Sequence, residues 1–168
     1  MVRRKKRELT NHRPNAAIVL FNKEGKVWLG RRANGSGAHV WQFPQGGIDE
    51  GEKPLIAAKR ELAEETGIRT DLVKKLGKVK GWLAYDFPDD VMQAPNKRLL
   101  WEGQKQKWFA FQFLGKDSDI NLSAHSPAEF DDWKWVDLVE APKGIIAWKR
   151  PVYDEVVRQF SRYTRHKK

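Results

Sequence analysis

Three glutamates, Glu61, Glu64 and Glu65, lie within five residues of one another in a chain whose formal net charge is +10. Residues 46–68 hold six acidic and three basic residues, so this segment carries −3 and the rest of the chain carries +13. Carboxylates are the ligands that hard divalent cations prefer, and a basic surface attracts polyanions. The pattern predicts a polyanionic substrate held through a divalent cation, and the alternative is that the charges serve only solubility.

A helix is predicted to position these glutamates, because Pro54 suits a first helical position and Gly67 suits a C-terminal stop. The intervening residues are mostly strong helix formers. At 100° per residue, the three glutamates share one side of this helix, next to an apolar side. They repel one another there and also face the negative end of the helix dipole. A bound divalent cation would reverse this cost, whereas a solvated helix face is the alternative that three glutamates alone leave open.

The spacing of residues 46–68 decides between these alternatives. The segment fits the pattern G-x5-E-x7-R-E-U-x-E-E-x-G-U, in which U is aliphatic, at every specified position: Gly46, Glu52, Arg60, Glu61, Leu62, Glu64, Glu65, Gly67 and Ile68. From average residue frequencies, a chance match is expected on the order of 10⁻¹⁰ times per starting position. The segment resembles the Nudix box, so the chain looks like a Nudix hydrolase, a family that cleaves diphosphate linkages in nucleoside diphosphates joined to another moiety.

Stretches outside the box extend the resemblance to a bacterial subgroup that contains RNA pyrophosphohydrolases and asymmetric diadenosine tetraphosphate hydrolases. These stretches are RPN (13–15), WQFPQGGI (41–48), GQKQKWF (103–109), EFDDWKWV (129–136) and KRPVY (149–153). The likeness implies an α/β (α+β) Nudix fold, with a mixed β-sheet sandwiched between α-helices. We therefore expect one domain over residues 13–163, flanked by basic tails at 1–12 and 164–168, as the length of 168 residues also favours.

The resemblance also assigns roles around a divalent metal ion, Mg²⁺ or Mn²⁺. Four groups of the box are implied as its ligands: Glu61, Glu64, Glu65 and the backbone carbonyl of Gly46. Arg60 would orient the glutamates by ion pairing, and Glu52 would be mainly structural. Glu129 matches a further glutamate implicated in metal binding or proton transfer, although an exposed loop acid is the alternative. The general base that activates the attacking water would be Glu65 or Glu129, and the sequence does not choose between them.

Substrate-binding positions follow from the same resemblance. The cations that would hold a 5′-polyphosphate are Arg13, Arg32, Lys105 and Lys107, and the residues that would stack on or flank the bases are Tyr85, Trp148 and Lys149. Chemistry makes these roles plausible, because aromatic rings stack on bases and cations bind phosphates. The alternatives are a solvated strand end for the two lysines at 105 and 107, and a place in the core for Trp148.

Hydrophobic periodicity predicts the elements that surround the box. A β-hairpin joins residues 15–21 to 26–32, and further strands are predicted at 40–44, within 72–87 as one or two strands, at 106–114 and at 133–136. Alternation in the strand at 106–114 places Phe109 and Trp108 on opposite faces. An amphipathic helix that starts at Pro151 is predicted to close the domain.

Two substrates fit these features, and a third function belongs to another class. The first is 5′-triphosphorylated RNA, cut to a 5′-monophosphate; the second is diadenosine tetraphosphate, cut to ATP and AMP; the third is a non-catalytic nucleotide-binding or RNA-binding module. The +13 charge outside the box favours RNA, because a long polyanion gains most from distributed charge. A chain with no cysteine and no apolar run of about 18 residues predicts a cytoplasmic protein without a membrane partner, and we expect a monomer.

Overall fold

The computed structural model describes residues 9–92 and 101–164. Most of each predicted basic tail, namely residues 1–8 and 165–168, lies outside the described residues. No described helix is long and apolar enough to cross a membrane.

A mixed sheet forms the centre of the fold. Its eight strands are β1 (His12–Phe21), β2 (Val27–Arg32), β3 (Trp41–Gln42), β4 (Gln45–Gly47), β5 (Val73–Lys78), β6 (Leu83–Asp86), β7 (Gly103–Phe113) and β8 (Phe130–Val136). Strands β1 and β7 run parallel and pair along ten residues, whereas the other described pairings are antiparallel. β1 also pairs with β4 and β2, β2 with β3 and β8, and β7 with β5 and β6.

In the part of the chain that the structure describes, three α-helices accompany the sheet: α1 (Pro54–Thr66), α2 (Asp89–Met92) and α3 (Arg150–Phe160). The predicted ends of α1 are confirmed. Pro54 occupies its first turn, and Gly67 ends it in a left-handed conformation with φ of 73°, where its N–H donates to the carbonyl of Ala63. A residue without a Cβ adopts this conformation at little cost, so the helix stops directly after the three glutamates.

The two faces of the sheet are covered by different helices. Alternate residues of β7 divide between them, with Phe109, Phe111 and Phe113 in the core under α1 and Trp108 and Ala110 in the core under α3. β1 alternates in the same way, because successive side chains of a strand point to opposite faces. The predicted sheet between helices is therefore confirmed, and α1 is fixed against one face by its own apolar side.

Some predicted strands differ from those observed. The strand expected at 40–44 is reduced to β3, while Val40 makes only an isolated bridge to Ile145. β4 was not predicted, because Gln45–Gly47 contains no residue that favours strands, and it forms by pairing with β1. β7 and β8 both begin three residues before their predicted starts, where pairing with β1 and β2 extends them.

The packing of α1 can be tested with two residues of the same helix. Leu62 is fully buried under the sheet, whereas Ile56 is 54% exposed. We expect Leu62→Ala to lower the free energy of unfolding by about 2–5 kcal/mol, because it leaves a cavity in the core. Ile56→Ala serves as the control and should change it by less than about 0.5 kcal/mol. Denaturant unfolding measures both, and equal losses would contradict this orientation of α1.

Candidate active site

The three glutamates of α1 lie on one side of the helix but differ in their exposure to solvent. Glu65 is only 8% exposed, and the exposed fractions of the Glu61 and Glu64 side chains are 13% and 40%. Carboxylates are normally solvated, so burial of two of them at one place has an electrostatic cost. A cation would therefore stabilise the site most next to the two more buried carboxylates, those of Glu61 and Glu65.

Arg60 ties the loop before α1 to the helix. Its guanidinium holds Glu52 in a fork, with Nε and Nη2 each 2.9 Å from a carboxylate oxygen, and Nη2 also donates to the carbonyl of Gly47 at 2.8 Å. Glu52 in turn accepts the backbone N–H of Asp49 at 3.0 Å. The hydrogen bond from Arg60, followed by that from Asp49, lowers the pKa of Glu52 to about 2. Glu52 is thus hydrogen-bonded to both Arg60 and the backbone of the loop before α1.

The same guanidinium reaches the glutamates of the helix. Its Nη1 donates to Oε1 of Glu61 at 2.8 Å and lies 3.4 Å from both carboxylate oxygens of Glu64. Burial raises the pKa of Glu61, Arg60 opposes that rise, and the charge of Glu64 adds to it. Arg60 thus contacts two of the three glutamates of α1, and its orienting role stays a prediction.

Gly46 brings the backbone of β4 against the carboxylate of Glu61. A Cβ at Gly46 would lie 2.0 Å from Cδ of Glu61, a distance that no real side chain can occupy. β4 is held in this position by β1, where Ala16 pairs with Gly46. Glycine at position 46 therefore lets the Glu61 carboxylate lie against the backbone of β4 in the position that it takes here.

Glu65 forms the buried end of the site. Its Oε2 accepts the backbone N–H of Gln45 at 3.3 Å. Burial raises the pKa of Glu65 well above its ordinary value, and the charges of Glu129 and Glu61 raise it further. Glu129 is exposed and precedes β8, yet its charge acts on Glu65, so the fold brings together the two residues that sequence reasoning named as alternative bases.

The donor atoms at this site fit a hard divalent cation in their chemistry, because all are oxygens and their charges destabilise one another. Among residues 9–92 and 101–164, however, no group of three or more Asp, Glu or His side chains has the arrangement that would hold one metal ion. Arg60 is instead the cation that contacts Glu61 and Glu64.

The structure brings Tyr85, Trp148 and Lys149 together. The rings of Tyr85 and Trp148 meet edge to face with centroids 5.2 Å apart, and the Lys149 ammonium lies 5.6 Å and 5.2 Å from the centres of these rings. Trp148 is only partly buried, so it borders the core rather than filling it. Burial and, to a smaller extent, the charge of Arg32 lower the pKa of Lys149, the charge of Glu129 opposes them, and the resulting pKa is about 8.

The remaining predicted cations divide between two places. The guanidinium of Arg13 lies against Gly47, where an added Cβ would be 2.6 Å from Nη2. Lys105 and Lys107 instead place their ammonium groups 4.9 Å and 4.5 Å from the ring centre of Trp82. The side chains of Lys105 and Lys107 lie on one face of β7, and those of Gln104 and Gln106 lie on the other. The fold therefore does not bring the two lysines together with Tyr85 and Lys149.

Sequence reasoning missed a line of buried amides behind Glu65. Gln106 donates to Oδ1 of Asn15 at 3.0 Å, and Asn15 donates to Oε1 of Gln45 at 2.5 Å. These residues come from three different strands, so their spacing in the sequence carries no signal. Nearby, the hydroxyl of Tyr85 donates to Gln104 at 2.6 Å, another contact that the sequence did not predict.

Comparison with known proteins agrees with this geometry. Residues 11–156 match the NUDIX domain. A protein of Caulobacter vibrioides named RNA pyrophosphohydrolase is 51% identical over 154 residues, covering 92% of this chain and 88% of its own. One of the same name from Bartonella bacilliformis is 46% identical, covering 89% and 91%. The chain belongs to the NUDIX family, and it is a hydrolase of phosphoric anhydride bonds.

Solved structures share the fold at low sequence identity. A C. elegans Ap4A hydrolase matches with a TM-score of 0.60 and 21% identity, covering 88% of this chain and 98% of that one. The E. coli dihydroneopterin triphosphate pyrophosphohydrolase matches with a TM-score of 0.64 and 18% identity, with the same coverage. The mixed sheet with its helices is therefore the Nudix fold.

The role of Arg60 can be tested by a substitution that keeps its charge. Arg60→Lys loses the planar fork to Glu52 and leaves the carbonyl of Gly47 or the carboxylate of Glu61 without a donor. We expect kcat/KM to fall by about 10- to 100-fold, as for residues that orient ligands. Arg158→Lys breaks a similar fork, to Glu155 on exposed α3, and is the matched control. Equal activity of the two variants would contradict the orienting role.

Proposed function

We propose that this Nudix hydrolase removes pyrophosphate from the 5′ end of triphosphorylated RNA in the cytoplasm and leaves a 5′-monophosphate, which initiates RNA decay. The observation that carries the proposal is the 51% identity, over 92% of the chain, to a protein named RNA pyrophosphohydrolase. The charge of +13 outside residues 46–68 supports a long polyanionic substrate.

Asymmetric hydrolysis of diadenosine tetraphosphate is the second candidate function. The likeness to the C. elegans Ap4A hydrolase is at 21% identity and concerns the fold alone. The specific observation in favour of this candidate is the group of Tyr85, Trp148 and Lys149, since two rings and an ammonium would also hold a nucleobase of a dinucleotide. RNA remains the preferred substrate because of the distributed charge.

Nudix hydrolases generally need divalent metal ions. In this chain Glu61, Glu64, Glu65 and the carbonyl of Gly46 would hold Mg²⁺ or Mn²⁺, and Glu129, whose charge acts on Glu65, is a further candidate ligand. When bound, such an ion neutralises phosphate oxygens and acidifies the attacking water. Arg60 keeps two of these carboxylates at fixed positions, which lowers the entropy lost when they become ligands.

The cations of the site provide the contacts to the polyphosphate. Arg13 and Arg32 carry guanidinium groups and Lys149 carries an amine, and such groups bind phosphates. Arg13 lies against Gly47, and the charges of Arg32 and Glu129 act on Lys149, so these cations are the proposed contacts of the phosphate chain. Tyr85 and Trp148 would then contact the base that follows.

Glu65 is proposed as the general base. It lies at the buried end of the site next to Glu61, and the N–H of Gln45 fixes one of its oxygens. The oxygen of water forms a bond to phosphorus, its proton passes to Glu65, and the bond from phosphorus to the bridging oxygen breaks. The electron pair of that bond leaves with pyrophosphate. Glu129 is the alternative acceptor.

Isosteric substitution separates the two candidate bases. Glu65→Gln removes the proton acceptor while keeping size, so we expect kcat to fall by about 10² or more with an unchanged unfolding midpoint. Glu129→Gln should lower kcat less, and Glu140→Gln, in an exposed pair with Lys143, is the control. Single-turnover kinetics measure all three variants. Near-normal turnover of Glu65→Gln with loss in Glu129→Gln would assign the base to Glu129.

The substrate is tested by comparing kcat/KM for a 5′-triphosphorylated oligoribonucleotide and for diadenosine tetraphosphate. We expect the RNA to be preferred, the preference to shrink as salt rises, and EDTA to abolish both activities until Mg²⁺ or Mn²⁺ is restored. An advantage for the dinucleotide that persists at low salt would overturn the RNA proposal. Activity that EDTA does not reduce would overturn the metal assignment.

A further inference from the structure

Two adjacent rows of residues cross the sheet where β1 and β7 begin and β6 ends. In the outer row His12, Gly103 and Asp86 are in register, and in the next row Arg13, Gln104 and Tyr85 are in register. The second row holds two of the residues that are proposed to contact substrate. The outer row holds a buried histidine and a carboxylate to which the proposed reaction gives no role.

His12 and Asp86 form a direct hydrogen bond across the strand between them. Nε2 of His12 lies 2.7 Å from Oδ1 of Asp86, and His12 is only 1% exposed. Residues on β1 and β6 are two strand spacings apart, about 10 Å, so their side chains would ordinarily be separated by one from β7. That position is Gly103, where an added Cβ would lie 2.9 Å from Cδ2 of His12 and 2.9 Å from Cα of Asp86.

Among the described residues, the hydrogen bond to Asp86 is the one side-chain hydrogen bond that orients the His12 ring. Its Nδ1 is buried and has no hydrogen-bond partner among the described residues, so Asp86 provides the hydrogen bond that fixes the imidazole. A hydrogen bond from an imidazole to a carboxylate is charge-assisted and stronger than a neutral one. The pair therefore joins β1 to β6 independently of the backbone bonds that each strand makes to β7.

β6 needs such a connection because it is short. It comprises four residues, and its described pairing is with β7 alone. Tyr85 directly precedes Asp86, so a shift of Asp86 along or away from β7 carries Tyr85 with it. The Tyr85 hydroxyl donates to Gln104, and its ring contacts Trp148. At the other end of the row, Arg13 directly follows His12.

We propose that His12 and Asp86 are positioning residues that hold Arg13 and Tyr85 in the geometry that binds the 5′ end of the substrate. This inference rests on the proposed function, since it assigns the pair to the same substrate. Neither residue touches the groups that carry the chemistry, because Glu61 and Glu65 are placed by α1 and β4. Loss of the pair should therefore raise KM and leave kcat largely unchanged.

The experiment measures kcat, KM and the unfolding midpoint with a 5′-triphosphorylated oligoribonucleotide and, separately, with diadenosine tetraphosphate. Asp86→Ala and His12→Leu should each raise KM by about fivefold or more, the effect of one net hydrogen bond, with kcat within about twofold of wild type. His12→Gln should keep KM within about twofold, because its amide nitrogen can still donate to Asp86. Glu140→Ala, which breaks an exposed pair with Lys143, is the control and should leave KM unchanged.

Three results would overturn the positioning role of His12 and Asp86. They are a KM within twofold of wild type in Asp86→Ala, an equal KM for His12→Gln and His12→Leu, and a fall in kcat without a rise in KM. Asp86 is 46% exposed, so Asp86→Ala should fold even if a buried leucine at position 12 is not tolerated. If the wild type cleaves diadenosine tetraphosphate but not RNA, the proposed function fails. The KM values for the dinucleotide then still test the positioning role of His12 and Asp86.

Discussion

This site depends on one interaction, the contact of the Arg60 guanidinium with the carboxylates around it. Arg60 is placed among Glu52, Glu61 and Glu64, where it compensates carboxylates that the fold crowds against one another and partly removes from water. The energetic logic is that of a buried ion cluster, in which each charge is tolerable only while its partners stay in place. Arg60 also donates to the carbonyl of Gly47 in β4. Its contacts therefore fix the loop that carries Glu52, helix α1 and β4 relative to one another.

Close approach of backbone to side chain is the second constraint. Gly46 admits the carboxylate of Glu61, Gly47 admits the guanidinium of Arg13, and Gly103 admits the contact of His12 with Asp86. Each glycine lies on a strand rather than in a turn, so its function is the space that it leaves above the sheet. The two faces of the sheet are filled by separate hydrophobic cores, and these glycines leave room for polar side chains next to the strands that carry them.

The parts of this site that are local in sequence could be predicted, and the parts that depend on strand pairing could not. Helix α1 and the shared side of its glutamates follow from helical periodicity and from Pro54 and Gly67, and the structure reproduces them. β4 has no hydrophobic pattern, since its conformation is imposed by β1, so no propensity could reveal it. The alternation of β7 was correct, but alternation alone does not show that Lys105 and Lys107 face Trp82.

The parallel pairing of β1 with β7 determines when during synthesis the enzyme can become active. The parallel partners of residues 12–21 are residues 103–112, about ninety positions later, whereas the backbone hydrogen bonds of α1 lie within its own segment. Long-range parallel pairing is slow to form because the intervening chain must be closed into a loop first. When α1 has left the ribosome, Glu61, Glu64 and Glu65 have left with it. At that point β7, the strand that supplies Gln104 and aligns Tyr85, has not yet been released. Hydrolysis must wait until most of the polypeptide has left the exit tunnel.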